Sequence, residues 1–442
     1  MDLLHDNLGT LYRKYLTASF GSALISSIYG LVDMAMVGQY HGPTGSAAMA
    51  VIAPIWNILY SFGLLCGIGG SVLYAIARGK PGREREANGC FTASVLLGGL
   101  ISAALIGLVW IWEVPLLRLF GADDALLPLC LAYLEAPKLT VPVYVFSNIL
   151  SSFLRNDNDP GLATRAVVFG GLFNVFGDYF FVFVLDMGIR GAGIATAIGA
   201  SASVLLMLGH FLRKSNTLRP VRPARLLHRF RDITVNGFSS FFSDVAMGIL
   251  TMLFNRQIMK YLGTDALAIY GVIVSVSTFV QCCAYGVGQA SQPLLSQNYG
   301  AGAMDRIRTL LRYGLVTSAV IGLVWTGLCE AFPTLLIRLY MAPTDSVLAA
   351  APSVIRVYAI SFLLLPLNIY ASYYLQALAR AAQSMLVSMA RGMAVSGALI
   401  LILPPLLDGS AVWWAMPVTE MTVFLASLAF TRRSLTSRPA KY

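Results

Sequence analysis

The sequence predicts an all-α integral membrane protein, with twelve transmembrane helices in two pseudo-symmetric six-helix bundles around a central cleft. Three observations lead to this prediction. Of the 442 residues, 57% are hydrophobic and only 12% are charged, whereas a soluble domain carries about 25% charged residues. The apolar residues form long unbroken runs, and short patterns recur half a chain apart. A soluble fold could not hide this much apolar surface, so we expect the lipid bilayer to surround the chain.

The apolar runs are long enough to cross the bilayer as helices. A helical span needs about 20 mostly apolar residues, whereas the strands of a membrane barrel would be shorter and alternating. Helices also satisfy their own backbone hydrogen bonds, as the bilayer interior requires. The predicted spans are 16–38, 48–77, 89–112, 127–153, 161–185, 191–212, 232–260, 267–297, 309–331, 346–378, 382–406 and 411–431.

The second half of the chain repeats features of the first. The stretch LRLFGA at 117–122 returns as IRLYMA at 337–342, and Gly82 has a counterpart in Gly302. Duplicated halves of apolar helices are a common plan for membrane transporters. Six spans in each half give both halves the same orientation, so the repeat axis should run along the membrane normal.

A basic segment separates the two halves. We expect an N-terminal six-helix lobe at 1–212, a basic cytoplasmic linker at 213–231 and a C-terminal six-helix lobe at 232–442. With both termini on one side, that side receives all but seven of the 31 Lys and Arg residues. The seven are Arg118, Lys138, Arg190, Arg256, Lys260, Arg338 and Arg356.

This charge distribution predicts the orientation of the chain. The net charge is +10, and excess Lys and Arg in short loops marks the cytoplasmic side of a membrane protein. Both termini are therefore expected in the cytoplasm. The basic residues set orientation in the lipid bilayer, and we expect no nucleic-acid partner.

Cysteine and histidine indicate neither a metal site nor a disulfide framework. The six Cys residues include no C-x-x-C pair, and only four His residues occur. We expect free thiols that pack like small hydrophobic side chains, and no cofactor.

Four acids fall well inside predicted spans: Asp33, Asp178, Asp244 and Glu420. Ionisable groups in the hydrocarbon core are costly, and each is a functional hypothesis. When the two halves are aligned, Asn174 and Asp178 correspond to Val395 and Leu399, and Asp33 corresponds to a position between Ile249 and Leu253. The fold therefore tolerates aliphatic residues at these places, and something other than folding keeps Asp33 and Asp178.

The acids of the first half predict a cation site. Asn174 and Asp178 are four residues apart, so they share one helical face, and Asp33 is expected to face them. Such an oxygen-rich pocket can hold protons, because burial favours the neutral carboxyl group. Alternatively, it can bind Na⁺ through Asp33, Asn174 and Asp178, with Thr196 as a further ligand. The structural alternative is that both Asp residues only hydrogen-bond the backbone or serines.

The acids of the second half predict contact with a substrate. Asp244 and Glu420 are candidates to meet a cationic substrate in the central cleft. For Asp244, the alternative is a packing hydrogen bond near Ser240 and Ser243. Arg391 is expected to extend toward the cytoplasmic interface, because long basic side chains near helix ends do so.

Three motifs resemble the multidrug and toxic compound extrusion (MATE) family, bacterial multidrug exporter branch. They are DMAMVG at 33–38, NVFGDY at 174–179 and GAGIAT at 191–196. The resemblance implies an antiporter that expels amphipathic organic cations in exchange for inward H⁺ or Na⁺, and we expect the protein to be a monomer. It also implies that the coupling cation binds at Asp33, Asn174, Asp178 and Thr196.

The sequence departs from the family at two places. Some relatives carry a proline in the first helix, and residues 16–39 contain none. Other branches place a glutamate in the seventh helix, whereas the acid here is Asp244, about one turn earlier. The first departure argues against a proline-dependent bend, and the second argues against equating Asp244 with that glutamate.

Taken together, the sequence predicts a non-enzymatic exporter in the bacterial plasma (inner) membrane. The alternative is a flippase for lipid-linked saccharides, but a pyrophosphate headgroup would favour Arg and Lys in the cleft. An intramembrane enzyme is a third hypothesis. The chain contains no H-E-x-x-H motif, no catalytic Gly-x-Gly-Asp motif and no His deep in a span.

Overall fold

The computed structural model describes residues 2–340 and 343–436, which form helices joined by short turns and contain no strand. Met341 and Ala342, at the end of the repeated IRLYMA stretch, lie outside the described residues. The last part of the predicted basic tail, from Ser437 onward, also lies outside them.

Eleven described helices are long and apolar enough to cross a membrane, and a bent pair of helices supplies a twelfth span. In chain order the spans are α1 (Leu8–Gly42), α2 (Thr44–Arg78), α3 (Glu84–Leu119), α4 (Leu127–Leu134 continued by Pro137–Asn156), α5 (Pro160–Val184), α6 (Gly188–Leu212), α7 (Leu226–Tyr261), α8 (Thr264–Gly300), α9 (Met304–Ala331), α10 (Asp345–Ala377), α11 (Ala381–Leu406) and α12 (Gly409–Leu435). A short helix, Pro333–Tyr340, precedes α10. The predicted all-helical membrane architecture is confirmed.

The span α4 is bent where its two pieces meet. They meet at an angle of 44°, and a 3-10 turn, Pro137–Thr140, begins the second piece. Pro137 and Pro142 both lack a backbone N–H, so an uninterrupted α-helical ladder cannot run through this region. The break leaves Tyr133 near the end of the first piece, where it contributes to the site described below.

Backbone geometry repeats between the two halves. Gly42 separates α1 from α2 with φ +68°, and Gly263 separates α7 from α8 with φ +82°. Gly82 and Gly302 follow the next helix of each half, with φ +73° and +75°. All four lie in the left-handed region that glycine adopts without a steric penalty. The correspondence of Gly82 and Gly302 that the sequence suggests is thus matched by their conformation.

The chain forms two compact units. The first contains Met1–His5 and Thr17–Phe241, and the second contains Asp6–Leu16 and Phe242–Tyr442. The unit boundary lies inside α7, and Leu218 from the basic segment is buried in the core of the first unit. The sequence-based division at 213–231 stays a prediction.

Large apolar side chains remain exposed on the outer helices. Leu100 on α3 is 60% exposed and Leu323 on α9 is 63% exposed. Isolated exposed apolar side chains are ordinary in soluble proteins, but extended apolar surfaces mark an interface. A bilayer would cover these faces, in agreement with the apolar spans.

Candidate cation-binding site

The four residues that the sequence singles out in the first half lie on three helices of the first unit. Asp33 is on α1, Asn174 and Asp178 are on α5, and Thr196 is on α6. Asp33 is 5% exposed, Asn174 2% and Asp178 0%. Burial of two carboxyl groups in one unit is costly unless each finds a partner.

A chain of hydrogen bonds joins these residues. The amide nitrogen Nδ2 of Asn174 donates to Oγ1 of Thr196 at 3.0 Å and to Oδ1 of Asp178 at 3.4 Å. The Thr196 hydroxyl in turn lies 3.5 Å from Oδ2 of Asp33 and donates to it. The structure thus brings all four residues together, while their role as a cation site stays a prediction.

Tyr133 completes the cluster, and sequence reasoning missed it. Its hydroxyl donates to Oδ2 of Asp33 at 2.9 Å, and its ring is buried. The chain has 20 tyrosines, and nothing in the sequence distinguishes this one. The proximity of Tyr133 to Asp33 depends on how α4 packs, which a single sequence does not reveal.

Glycines allow the helices of the site to approach closely. A Cβ atom on Gly193 of α6 would lie 2.1 Å from the carbonyl oxygen of Tyr133. On Gly170 of α5 it would lie 2.6 Å from the carbonyl oxygen of Gly199 on α6. Small residues at such positions let helix backbones touch in membranes. This contact holds Asn174 within reach of Thr196.

Three acceptor oxygens of the cluster have no hydrogen-bond partner among the described residues. They are Oδ1 of Asp33, Oδ1 of Asn174 and Oδ2 of Asp178. Buried polar atoms in folded proteins are nearly always satisfied. A proton would turn a carboxyl oxygen into a donor, and Na⁺ would take several oxygens as ligands. The residues present therefore fit a small monovalent cation.

The described part of the chain contains no cluster of side chains that is typical of a zinc or transition-metal site. No three His, Cys, Asp or Glu side chains converge there as they would around a metal ion. All six cysteines are free thiols, and four of them are buried.

The second unit contains a buried ion pair. Glu420 on α12 is fully buried, and Nε of Arg391 on α11 donates to its Oε1 at 2.8 Å. Nδ2 of Asn368 on α10 donates to Oε2 of Glu420 at 2.7 Å. The prediction that Arg391 extends toward the cytoplasmic interface is wrong, because its side chain is 12% exposed and pairs with this carboxylate.

This ion pair bears on the predicted substrate residues. Both carboxylate oxygens of Glu420 are engaged by the protein, and Asp244 lies partly buried on α7. The role of Asp244 and Glu420 in binding a cationic substrate stays a prediction.

The chain is similar to known membrane proteins along most of its length. A family model described as MatE matches residues 18–180 and again 240–399. The multidrug export protein MepA of Staphylococcus saprophyticus is 24% identical over 411 residues, which cover 92% of this chain and 89% of MepA. The probable multidrug resistance protein YoeA of Bacillus subtilis is 24% identical over 350 residues, with 74% and 73% covered.

Solved structures share the fold. An outward-facing multidrug resistance MATE family transporter of the MOP superfamily superposes with a TM-score of 0.90 at 19% identity, covering 98% of this chain and 97% of that one. A MOP superfamily transporter from Pyrococcus furiosus gives a TM-score of 0.89 at 19% identity, with the same coverage. The binding pocket of that protein is described as having reverse polarity, which suggests a different function for it. A shared fold therefore does not determine the cargo.

Proposed function

This chain belongs to the MatE family, and from that premise we propose that it is a secondary active antiporter that expels amphipathic organic cations in exchange for inward H⁺ or Na⁺. Its relatives MepA and YoeA are named for multidrug export and multidrug resistance, which supports drug efflux as the activity. Both relatives are bacterial, and the basic loops favour a plasma-membrane protein with both termini in the cytoplasm.

One observation carries the proposal of ion coupling: the three unpartnered oxygens of the buried cluster. One oxygen of each of the two carboxylates, Asp33 on α1 and Asp178 on α5, and the amide oxygen of Asn174 on α5 lack a donor in the described chain. A cluster that served only packing would use its oxygens in hydrogen bonds to neighbouring side chains or backbone. Buried acceptor oxygens without a donor instead favour the reversible binding of a cation.

Neighbouring side chains stabilise the two carboxylates while no cation is bound. Tyr133 and Thr196 donate to Asp33, and Asn174 donates to Asp178. These donors stabilise each carboxylate while no cation is bound, and they leave one oxygen of each free to receive it. The site can therefore exist in a loaded and an unloaded form without a buried charge losing all its partners.

Coupling then requires that cation and drug favour different states of the transporter. Only such a difference in affinity can drive a cycle, because a ligand that binds both states equally shifts neither. The membrane potential adds about 2.3 kcal/mol per elementary charge per 100 mV to inward cation movement. An inward H⁺ or Na⁺ can thus supply the free energy for export of a drug.

Transport by the purified protein in liposomes tests this proposal. Ethidium movement would be followed by fluorescence while a pH gradient and a Na⁺ gradient are imposed separately. We expect one of the two gradients to accelerate ethidium transport over protein-free liposomes. A rate of ethidium transport that neither gradient changes would contradict ion coupling, and failure to move any organic cation would contradict export.

A further inference from the structure

The second unit contains a small cavity that the coupling mechanism does not use. Its volume is about 50 Å³. A water-sized group occupies roughly 10–15 Å³ of such volume, so there is room for about four of them. The lining includes three aromatic rings (Phe254, Tyr270 and Tyr358), four neutral polar residues, among them Thr251 and Gln281, and one cation, Arg391.

The guanidinium group of Arg391, which lines the cavity, has hydrogen-bond donors that Glu420 does not use. A guanidinium carries five N–H groups, and Nε of Arg391 donates to Glu420. No described residue accepts a hydrogen bond from the terminal nitrogens Nη1 and Nη2 of Arg391. Glu420 and Asn368 are not among the residues that line the cavity. A molecule in the cavity therefore meets the basic side of the ion pair.

The backbone around Arg391 positions this side chain. Residues Ala390–Ala394 form a π-helical turn inside α11, and such turns are frequent at functional sites. At the next residue, a Cβ on Gly392 would lie 2.8 Å from Cβ of Ala246. The close approach of α11 to α7 fixes the backbone position from which the Arg391 side chain extends.

The aromatic residues form a continuous apolar wall. The rings of Phe254 and Tyr270 stack with centroids 4.9 Å apart, and Tyr358 meets Phe254 edge-on at 6.1 Å. All three side chains are buried. Pockets that bind organic molecules combine such apolar walls with a few convergent polar groups.

We propose that this cavity binds the carboxylate of an organic acid, with its two oxygens on Nη1 and Nη2 of Arg391. Planar guanidinium groups match carboxylates through two parallel hydrogen bonds. Hydroxyl and amide groups of Thr251 and Gln281 supply further polar contacts, and the carbon skeleton of the acid lies against the aromatic wall. The carboxylate and its first carbon atoms occupy the cavity, and in an acid as large as benzoate the far part of the ring extends beyond it.

This site is separate from the proposed site of cation coupling. It lies within the second unit and involves none of the residues of the cation site. A test of binding therefore fails or succeeds regardless of ion coupling.

Saturation-transfer NMR on the purified full-length protein in micelles tests the site with four probes: benzoate, benzamide, benzylammonium and acetate. We expect benzoate to bind at least ten-fold more tightly than benzamide and benzylammonium, because only benzoate offers two anionic oxygens. If acetate also binds, the site accepts a short-chain acid. If benzoate binds and acetate does not, the ligand is an aromatic acid. Equal binding of benzoate and benzamide would overturn the proposal.

Paired substitutions assign the binding to Arg391. Arg391→Gln alone would leave the buried Glu420 unpaired, which can prevent folding. The double variant Arg391→Gln/Glu420→Gln removes both charges together, and we expect benzoate affinity to fall at least ten-fold. Glu420→Gln alone leaves the arginine uncompensated and should increase benzoate affinity.

The matched control is Arg356→Gln, since Arg356 is 52% exposed and pairs with Glu330 elsewhere in the second unit. It should bind benzoate as the wild type does. Unchanged benzoate affinity in the double variant, with a normal melting temperature, would contradict the assignment to Arg391. The comparison of benzoate with benzamide on the wild-type protein decides the proposal even if a variant fails to fold.

Discussion

The hydroxyl of Tyr133 donates a hydrogen bond of 2.9 Å to Oδ2 of Asp33, and this contact ties α4 to α1 inside the first unit. Only one oxygen of Asp33 is used in this way. The other, Oδ1, has no partner among the described residues. The tyrosine therefore holds the carboxyl group while leaving it able to receive a cation.

Removal of the Tyr133 hydroxyl should slow transport. In Tyr133→Phe the ionised form of Asp33 loses a donor, and a hydrogen bond to a charged group contributes about 1.5–3 kcal/mol. We expect gradient-driven ethidium transport in liposomes to fall by about ten-fold. Tyr144→Phe is the control, because Tyr144 makes no hydrogen bond to Asp33. Equal rates for the two variants would refute a specific role for Tyr133.

A methyl group at Gly193 should separate α6 from α4. The added Cβ would lie 2.1 Å from the backbone oxygen of Tyr133, and backbone atoms cannot move aside cheaply. Overpacking of this kind typically costs about 1–3 kcal/mol. We expect Gly193→Ala to lower both the melting temperature in micelles and the rate of ethidium transport. Gly107→Ala, whose Cβ would meet nothing within 4 Å, should leave both unchanged.

Both ring nitrogens of His210 face carboxylates at the end of α6. Nε2 lies 2.7 Å from Oδ2 of Asp157, and Nδ1 lies 3.1 Å from Oδ2 of Asp159. The backbone N–H of Thr217 donates to the same Asp157 oxygen at 2.9 Å, which anchors the start of the basic linker.

Loss of this histidine should destabilise the first unit. His210→Ala leaves the buried Asp157 without one partner, and breaking a buried ion pair typically costs about 3–5 kcal/mol. We expect a clear drop in melting temperature in micelles. His228→Ala is the control, because that side chain is 58% exposed. A melting temperature equal to that of the control would show that His210 does not hold the linker.

Acid should weaken the contribution of Asp159, which lies between α4 and α5. Burial acts to raise the pKa of Asp159, but the hydrogen bond from His210 and the charge of Arg213 outweigh it and hold this pKa below its ordinary value of 3.8. A lowered pKa in the folded state stabilises the protein above the unfolded-state value, and this stabilisation is lost as the pH falls through the folded-state pKa.

The difference in melting temperature between the wild type and Asp159→Asn should thus have its largest value at pH 7 and decrease below about pH 4. Asp305→Asn, at a side chain that is 95% exposed, should differ little from the wild type at any pH. A difference for Asp159→Asn that stays constant down to pH 3 would contradict the assigned ion pair.

Much of the fold could be predicted because it follows from one-dimensional patterns. Long apolar runs specify the spans, and the matched glycines of the two halves, such as Gly82 and Gly302, anticipate the repeated turns. The four-residue spacing of Asn174 and Asp178 anticipates that they share a face. These inferences need only helix geometry and composition.

The rest depends on which helices touch, and the sequence does not encode that locally. Tyr133 joins the site because a glycine on α6 admits the α4 backbone, a contact between distant positions. The sequence predicts that Arg391 extends to the interface, because long basic side chains near helix ends do so. Its partner Glu420 lies on another helix, so only the structure shows that it turns inward.

The most direct test of ion coupling at the buried carboxyl groups is gradient-driven ethidium transport by Asp33→Asn and Asp178→Asn in liposomes, beside Ser203→Ala. Ser203 is a buried hydroxyl of the same unit with no partner among the described residues, so it controls for loss of a polar group. We predict background transport for both Asn variants with normal folding and ethidium binding, and near wild-type transport for Ser203→Ala. Transport at the wild-type rate in either Asn variant would contradict reversible neutralisation of these carboxyl groups as the energy source.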